Sequence, residues 1–189
     1  ITGAFGISGV GGLTKQGAGT LTLSSPNSYT GDTTIAAGVL TVGSANTLPA
    51  GLTTGHFTVN GTLDVGGFSP SIRNLTGNGT VDNLTAGGAP VLTLVNPLTN
   101  VFSGAIKNSS GVLSVNLTGA GLLTLSGTNT LSGSMLVTSN ASLAVTGRIG
   151  SGGVALAAGG RLSGTGVVTG PATLADGSSL VLIANNPLT

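Results

Sequence analysis

The chain has 189 residues, 35 of them glycine, with 5% charged residues and no glutamate, cysteine or tryptophan. A composition of Thr, Val, Leu, Ser, Asn and Gly excludes a helical protein, which needs runs of Ala, Leu, Glu, Lys, Gln or Arg. Five Lys or Arg against four Asp give a formal net charge of +1 with no basic cluster, which excludes charge-driven binding to nucleic acid or to an anionic membrane surface.

In chain order, two-residue alternation marks short strands at Leu21-Thr22-Leu23, Val39 to Val42, Phe57-Thr58-Val59, Leu63-Asp64-Val65 and Leu92-Thr93-Leu94. It continues at Leu113 to Val115, Leu123-Thr124-Leu125, Leu143 to Val145 and Val154-Ala155-Leu156, with Gly, Asn, Ser and Pro turns between. Corresponding leucines recur at intervals of 19 (Leu21 to Leu40), 23 (Leu40 to Leu63), 21 (Leu92 to Leu113) and 20 (Leu123 to Leu143), the length of one coil of a solenoid. Apolar residues at 39% and aromatics at 3% predict a long, thin, aliphatic interior. The apolar stretch Leu180 to Ala184 is far short of the ~18 residues of a spanning helix, so a soluble chain is expected. Its opening at Ile1 shows no basic or apolar signal region, so a mature or excised piece of something longer is expected.

Turn chemistry separates two all-β arrangements. A meander or sandwich requires tight hairpins, yet Asn-Gly or Asp-Gly pairs occur only at Asn60-Gly61, Asn78-Gly79 and Asp176-Gly177. A parallel β-helix instead stacks equivalent strands and shows its coil period in the sequence. The fold class predicted is all-β, a right-handed parallel β-helix (solenoid) of roughly eight or nine coils and about 40 Å, the hand following from the usual crossover.

Three segments share one pattern: Asn27-Ser28-Tyr29-Thr30-Gly31, Asn100-Val101-Phe102-Ser103-Gly104 and Asn129-Thr130-Leu131-Ser132-Gly133. Seven residues beyond each Gly stands a turn residue (Gly38, Gly111, Asn140), and a strand follows. Asn27, Asn100 and Asn129 are expected at corners, in the left-handed region and stacked into a ladder. Tyr29, Phe102 and Leu131 are expected to plug the interior, with Gly31, Gly104 and Gly133 supplying a positive φ or a close approach. The alternative role for Tyr29 and Phe102 is glycan stacking.

The run Gly17-Ala18-Gly19-Thr20-Leu21-Thr22-Leu23, through Asn27-Ser28-Tyr29-Thr30-Gly31-Asp32-Thr33-Thr34-Ile35 to Gly38-Val39-Leu40-Thr41-Val42-Gly43, resembles the passenger-associated transport repeat of bacterial autotransporters. Gly61 to Ser69, followed by Ile72 to Val81, is similar to the segment that follows such a repeat, and Gly159 to Val168 resembles the Gly-rich coils near the end of passengers. The resemblance implies residues 1–189 as a single β-helix passenger segment, a fragment of a longer chain, secreted or displayed on the bacterial cell surface outside the outer membrane by type V secretion. It implies an outer-membrane β-barrel translocator as the partner during export. It also implies a stalk or adhesin role, with a host or cell-surface glycan or protein as ligand.

Chemistry is sparse. Asp32, Asp64, Asp82 and Asp176 are the carboxylates; Asp64 and Asp82, 18 residues apart, are placed to stack on adjacent coils, and both are expected to be solvated. His56 is the sole histidine and is expected at the surface, without partners for metal binding or a triad. Gly150-Ser151-Gly152-Gly153 lacks the lysine of a phosphate loop. No catalytic, cofactor-binding or metal residues are assigned, and no enzyme activity is expected. The alternatives are a carbohydrate-binding or polysaccharide-degrading β-helix, and a filament subunit joined by end-to-end self-association through open strand edges.

Overall fold

The computed structural model describes residues 2–3, 6–49 and 55–182. Within them lie 26 strands of two to five residues and no helix, and every strand pairing is parallel. This is the predicted parallel β-solenoid. The residues explain it: Val, Leu, Thr and Ile occupy pleated half-buried positions, and glycine or asparagine stands wherever the chain turns to the next face.

Three faces run the length of the rod. Face I begins with Thr2–Gly3, Thr20–Leu23, Val39–Val42, Thr62–Asp64, Thr80–Asp82 and Ala105–Ile106, and continues through Thr128–Asn129, Arg148–Ile149 and Val167–Val168. Face II holds Ser8–Gly9 and Ser28–Tyr29, then Ser71–Arg73, Val91–Val95, Ser114–Thr118, Met135–Val137, Val154–Leu156 and Ala172–Leu174. Face III carries Leu13–Lys15, Thr33–Ile35, Phe57–Val59 and Leu75–Thr76, then Asn100–Phe102, Leu122–Leu125, Ser142–Val145, Arg161–Gly164 and Ser179–Leu182. The chain therefore passes nine times over faces I and III. In the third coil no strand lies on face II among the described residues.

Inward side chains stack by type. On face I, Leu40, Leu63, Val81 and Ile106 lie in register and are fully buried. On face II the column is Ile72, Leu94, Leu117, Val137 and Leu156. Each buried Leu, Ile or Val contributes roughly 1.5–3 kcal/mol relative to exposure. The pairings Leu21–Leu40, Leu40–Leu63 and Leu123–Leu143 follow the sequence intervals. The fourth does not: Leu92 pairs with Val115, and Leu113 is a buried residue just before that strand.

The asparagine motif stands differently from its expectation. Asn27 enters face II, Asn100 face III and Asn129 face I, so one five-residue pattern builds the approach to each face in turn and the three side chains do not form a ladder. None of the three has a positive φ; the left-handed asparagines are Asn46, Asn74 and Asn140. Gly31, Gly104 and Gly133 likewise act by close approach and not by positive φ. At the corner from face III to face I a second series, Gly38, Gly61, Gly79, Gly104, Gly127, Gly147 and Gly166, stacks glycine on glycine. A Cβ on each member from Gly61 onward would strike the carbonyl oxygen of the glycine one coil before. That oxygen instead accepts a ladder bond, as from Thr62 N to Gly38 O at 2.8 Å and from Ala105 N to Gly79 O at 3.0 Å.

Candidate functional site

Four carboxylates and one histidine carry the titratable acid–base chemistry considered above, and the fold separates most of them. Asp32, Asp176 and His56 are exposed, and the backbone N–H of His56 donates to Asp32 Oδ1 at 2.8 Å. Asp64 and Asp82 do stack in register, as their spacing predicted. The expectation that they are solvated is wrong: Asp64 is 5% exposed and Asp82 1%. The reason is backbone satisfaction at the corner from face I to face II. Asp64 Oδ1 accepts from Gly66 N at 2.9 Å and Leu84 N at 3.0 Å. Asp82 accepts from Ser109 N at 2.8 Å and Ser109 Oγ at 2.7 Å, and Lys107 Nζ lies 3.4 Å away. These carboxylates are occupied as acceptors in turns, and no group of three or more metal-ligating side chains exists among the described residues.

The buried asparagines act as clamps across coils. Asn129 Oδ1 accepts from Ile106 N at 2.9 Å, while its Nδ2 donates to Gly127 O at 3.2 Å and Arg148 O at 3.0 Å, so one side chain ties three coils. Asn27 repeats this with Ile7 N, Ser25 O and Thr47 O. Asn100 Nδ2 donates to Asn74 Oδ1 and Asn96 Oδ1 at 3.1 and 2.6 Å. Lys15 is also buried, its ammonium donating to Gln16 O, Gly17 O and Ala37 O.

Tyr29 and Phe102 point inward, as expected, and neither ring face is available to a glycan. Tyr29 Oη lies 2.7 Å from Thr33 Oγ1. Burial pushes its phenol above the usual value, and the Thr33 contact partly offsets that rise.

A cleft on face II was not legible as a site in the sequence. Between residues 44–48 of the third coil and 68–71 of the fourth lies a cavity of about 180 Å³. Its roof, Phe68 to Ser71, follows the tight turn through Gly66 (φ 61°) and Gly67 (φ 78°), closed by Phe68 N donating to Val65 O at 2.9 Å. Asp64 and Asn83 fix this turn through Gly66 N and Gly67 N. Its floor turns at Asn46 (φ 59°) and is anchored by Asn27 to Thr47 O. A signal was present in Gly66-Gly67-Phe68, but nothing in the sequence paired it with Ser44 to Leu48.

Known proteins match this chain in two ways. The family model described as passenger-associated-transport-repeat matches residues 13–42 and 116–145. The first unit starts on face III and the second on face II, so the same repeat is set down a third of a turn out of phase. Over 102 residues, 53% of this chain, the sequence is 41% identical to the Adhesin BmaC autotransporter of Brucella suis biovar 1 (strain 1330), and the chain covers 3% of that protein. No solved structure matches. The resemblance of the sequence to autotransporter passengers is borne out by both matches.

Proposed function

We propose that this chain, an autotransporter passenger segment carrying two transport repeats, is a non-catalytic stalk or adhesin-type rod on a secreted or surface-displayed bacterial protein. Residues 1–189 are read as one β-helix segment of a longer passenger. The observation that carries the reading is the pairing pattern: each strand bonds only to its counterparts one coil before and one coil after. Folding of such a stack can start at one end and propagate, so a chain emerging unfolded through an outer-membrane β-barrel translocator can fold outside coil by coil. Lack of cysteine removes any disulfide that would hold the unfolded chain in the pore.

The reading is tested by replacing Leu40, Val42 and Leu63 together with Asp. All three are buried in neighbouring coils on face I. Export of the passenger is expected to stall with the segment inside the cell. Normal secretion of this variant would overturn coil-by-coil folding as the aid to export.

A further inference from the structure

We propose that the face II cleft between residues 44–48 and 68–71 is a binding site for one neutral pyranose unit of a glycan. The proposal rests on the adhesin reading in taking a surface glycan as the source of the sugar; binding of the sugar itself stands or falls alone.

Four features of the cleft point to this class. First, none of the described residues that line it is charged, which disfavours an ionic ligand. Second, Phe68 is half-buried at the cleft, whereas Phe57 and Phe102 are buried in the core. Packed against the core yet partly exposed at the cavity it lines, this ring is the kind of aromatic surface that the C–H face of a pyranose packs against. Third, the remaining lining includes Leu48 and small hydrogen-bonding groups, among them Asn46, Ser71, Ser69 and Ser44, whose hydroxyl donates to Ser24 O at 3.0 Å and keeps its acceptor side. A lining that mixes aromatic and aliphatic side chains with hydroxyl and amide groups matches a sugar, whose hydroxyls lie at the rim of an apolar ring. Fourth, at about 180 Å³ the cavity is below the usual ~300–1,000 Å³ of drug-sized pockets, which sets its capacity at a single ring.

The site is also held in place before any ligand arrives. Asp64 and Asn83 pin the turn before Phe68, Ser69 Oγ accepts from Val91 N at 3.0 Å, and Thr47 Oγ1 donates to Ser44 O at 3.2 Å. Both walls of the cleft are therefore hydrogen-bonded to the coils around them. Pre-organisation of this kind lowers the ordering penalty of binding. It also gives the buried Asp64 a role that catalysis does not, as a positioning residue for the aromatic platform.

The test is titration of the isotope-labelled chain with methyl β-glucoside, methyl β-galactoside and N-acetylglucosamine, read by amide NMR shifts, with glucuronate as the charged control. At least one neutral sugar is expected to saturate, shifting residues 44–48 and 68–71, with a Kd in the millimolar range or below. Phe68→Ala is expected to weaken it about tenfold. Asn46→Ala, at an exposed turn, gives a second reading of the same site, and unchanged amide spectra elsewhere show that both variants fold. No cleft shifts with any neutral sugar at about 10 mM would overturn the proposal. So would shifts confined to other faces, or equal binding of glucuronate. Saturable cleft binding without any adhesion of cells displaying the passenger would leave the sugar site standing and overturn the adhesin reading.

Discussion

Asn129 concentrates at one residue what holds the coils together. Its carboxamide is fully buried and bonded to three successive coils, so its removal strands Ile106 N–H and takes a donor from Arg148 O and from Gly127 O, the latter still accepting from Arg148 N. Asn129→Ala is expected to destabilise by about 2–4 kcal/mol in chemical denaturation, because the loss includes unsatisfied buried backbone groups. Asn108→Ala, which removes one exposed bond to Ser132 N, should lie below about 1 kcal/mol. Tyr29 offers a pH test at the same scale. Its phenol is raised above the unfolded value of about 10, so the contribution from its neutral, buried form is complete below about pH 10 and is lost as pH climbs through the folded value. Because the chain has one tyrosine and no tryptophan, alkaline absorbance reads this group directly. The stability gap between the native chain and Tyr29→Phe should be constant at neutral pH and shrink above about pH 10; a gap that widens there contradicts the burial account.

The strand and the corner form the next scale, and there the glycine series sets the coil. Gly104→Ala directs a methyl group at Gly79 O and the Phe102 ring, and an expected loss of about 1–3 kcal/mol follows from overpacking against backbone that cannot move aside. Gly19→Ala, which meets nothing, should be neutral or stabilising by about 0.4–1 kcal/mol through the unfolded chain. Thermal melts of the pair check the contrast. Strands with strict alternation were legible: Phe57–Val59 and Val154–Leu156 have the predicted bounds, because outward Thr or Ala between two buried apolar residues leaves no other period. Two-residue strands such as Ser28–Tyr29, Ala105–Ile106 and Arg148–Ile149 were not, since two positions cannot display a period. Equivalence of the three Asn motifs was misread for a similar reason. A corner sequence records that the chain turns, not which of three corners it turns. The buried state of Asp64 and Asp82 was hidden because their partners, Leu84 N and Ser109, lie in the following coils.

For the whole molecule the decisive property is that each coil is paired in register with the next on at least two of the three faces, and where the face I ladder breaks after Ala105–Ile106, Asn129 Oδ1 takes up Ile106 N. The proposed export by successive coil formation, the clamps of Asn27 and Asn129, and the cleft between the third and fourth coils all presuppose it. The cysteine-free chain allows a direct measurement with paired substitutions. Thr58 and Thr76 are register partners on adjacent coils of face III, their Oγ1 atoms 3.0 Å apart, whereas Thr34 and Thr76 are separated by the coil that holds Thr58. Strands ~4.8 Å apart put the first pair within disulfide reach and the second, at roughly twice that, outside it. Thr58→Cys with Thr76→Cys should close under mild oxidation in the monomer and raise stability by about 3 kcal/mol over its reduced form, while Thr34→Cys with Thr76→Cys stays reduced. Failure of the first pair to close, or closure of the second, would contradict the in-register parallel stack.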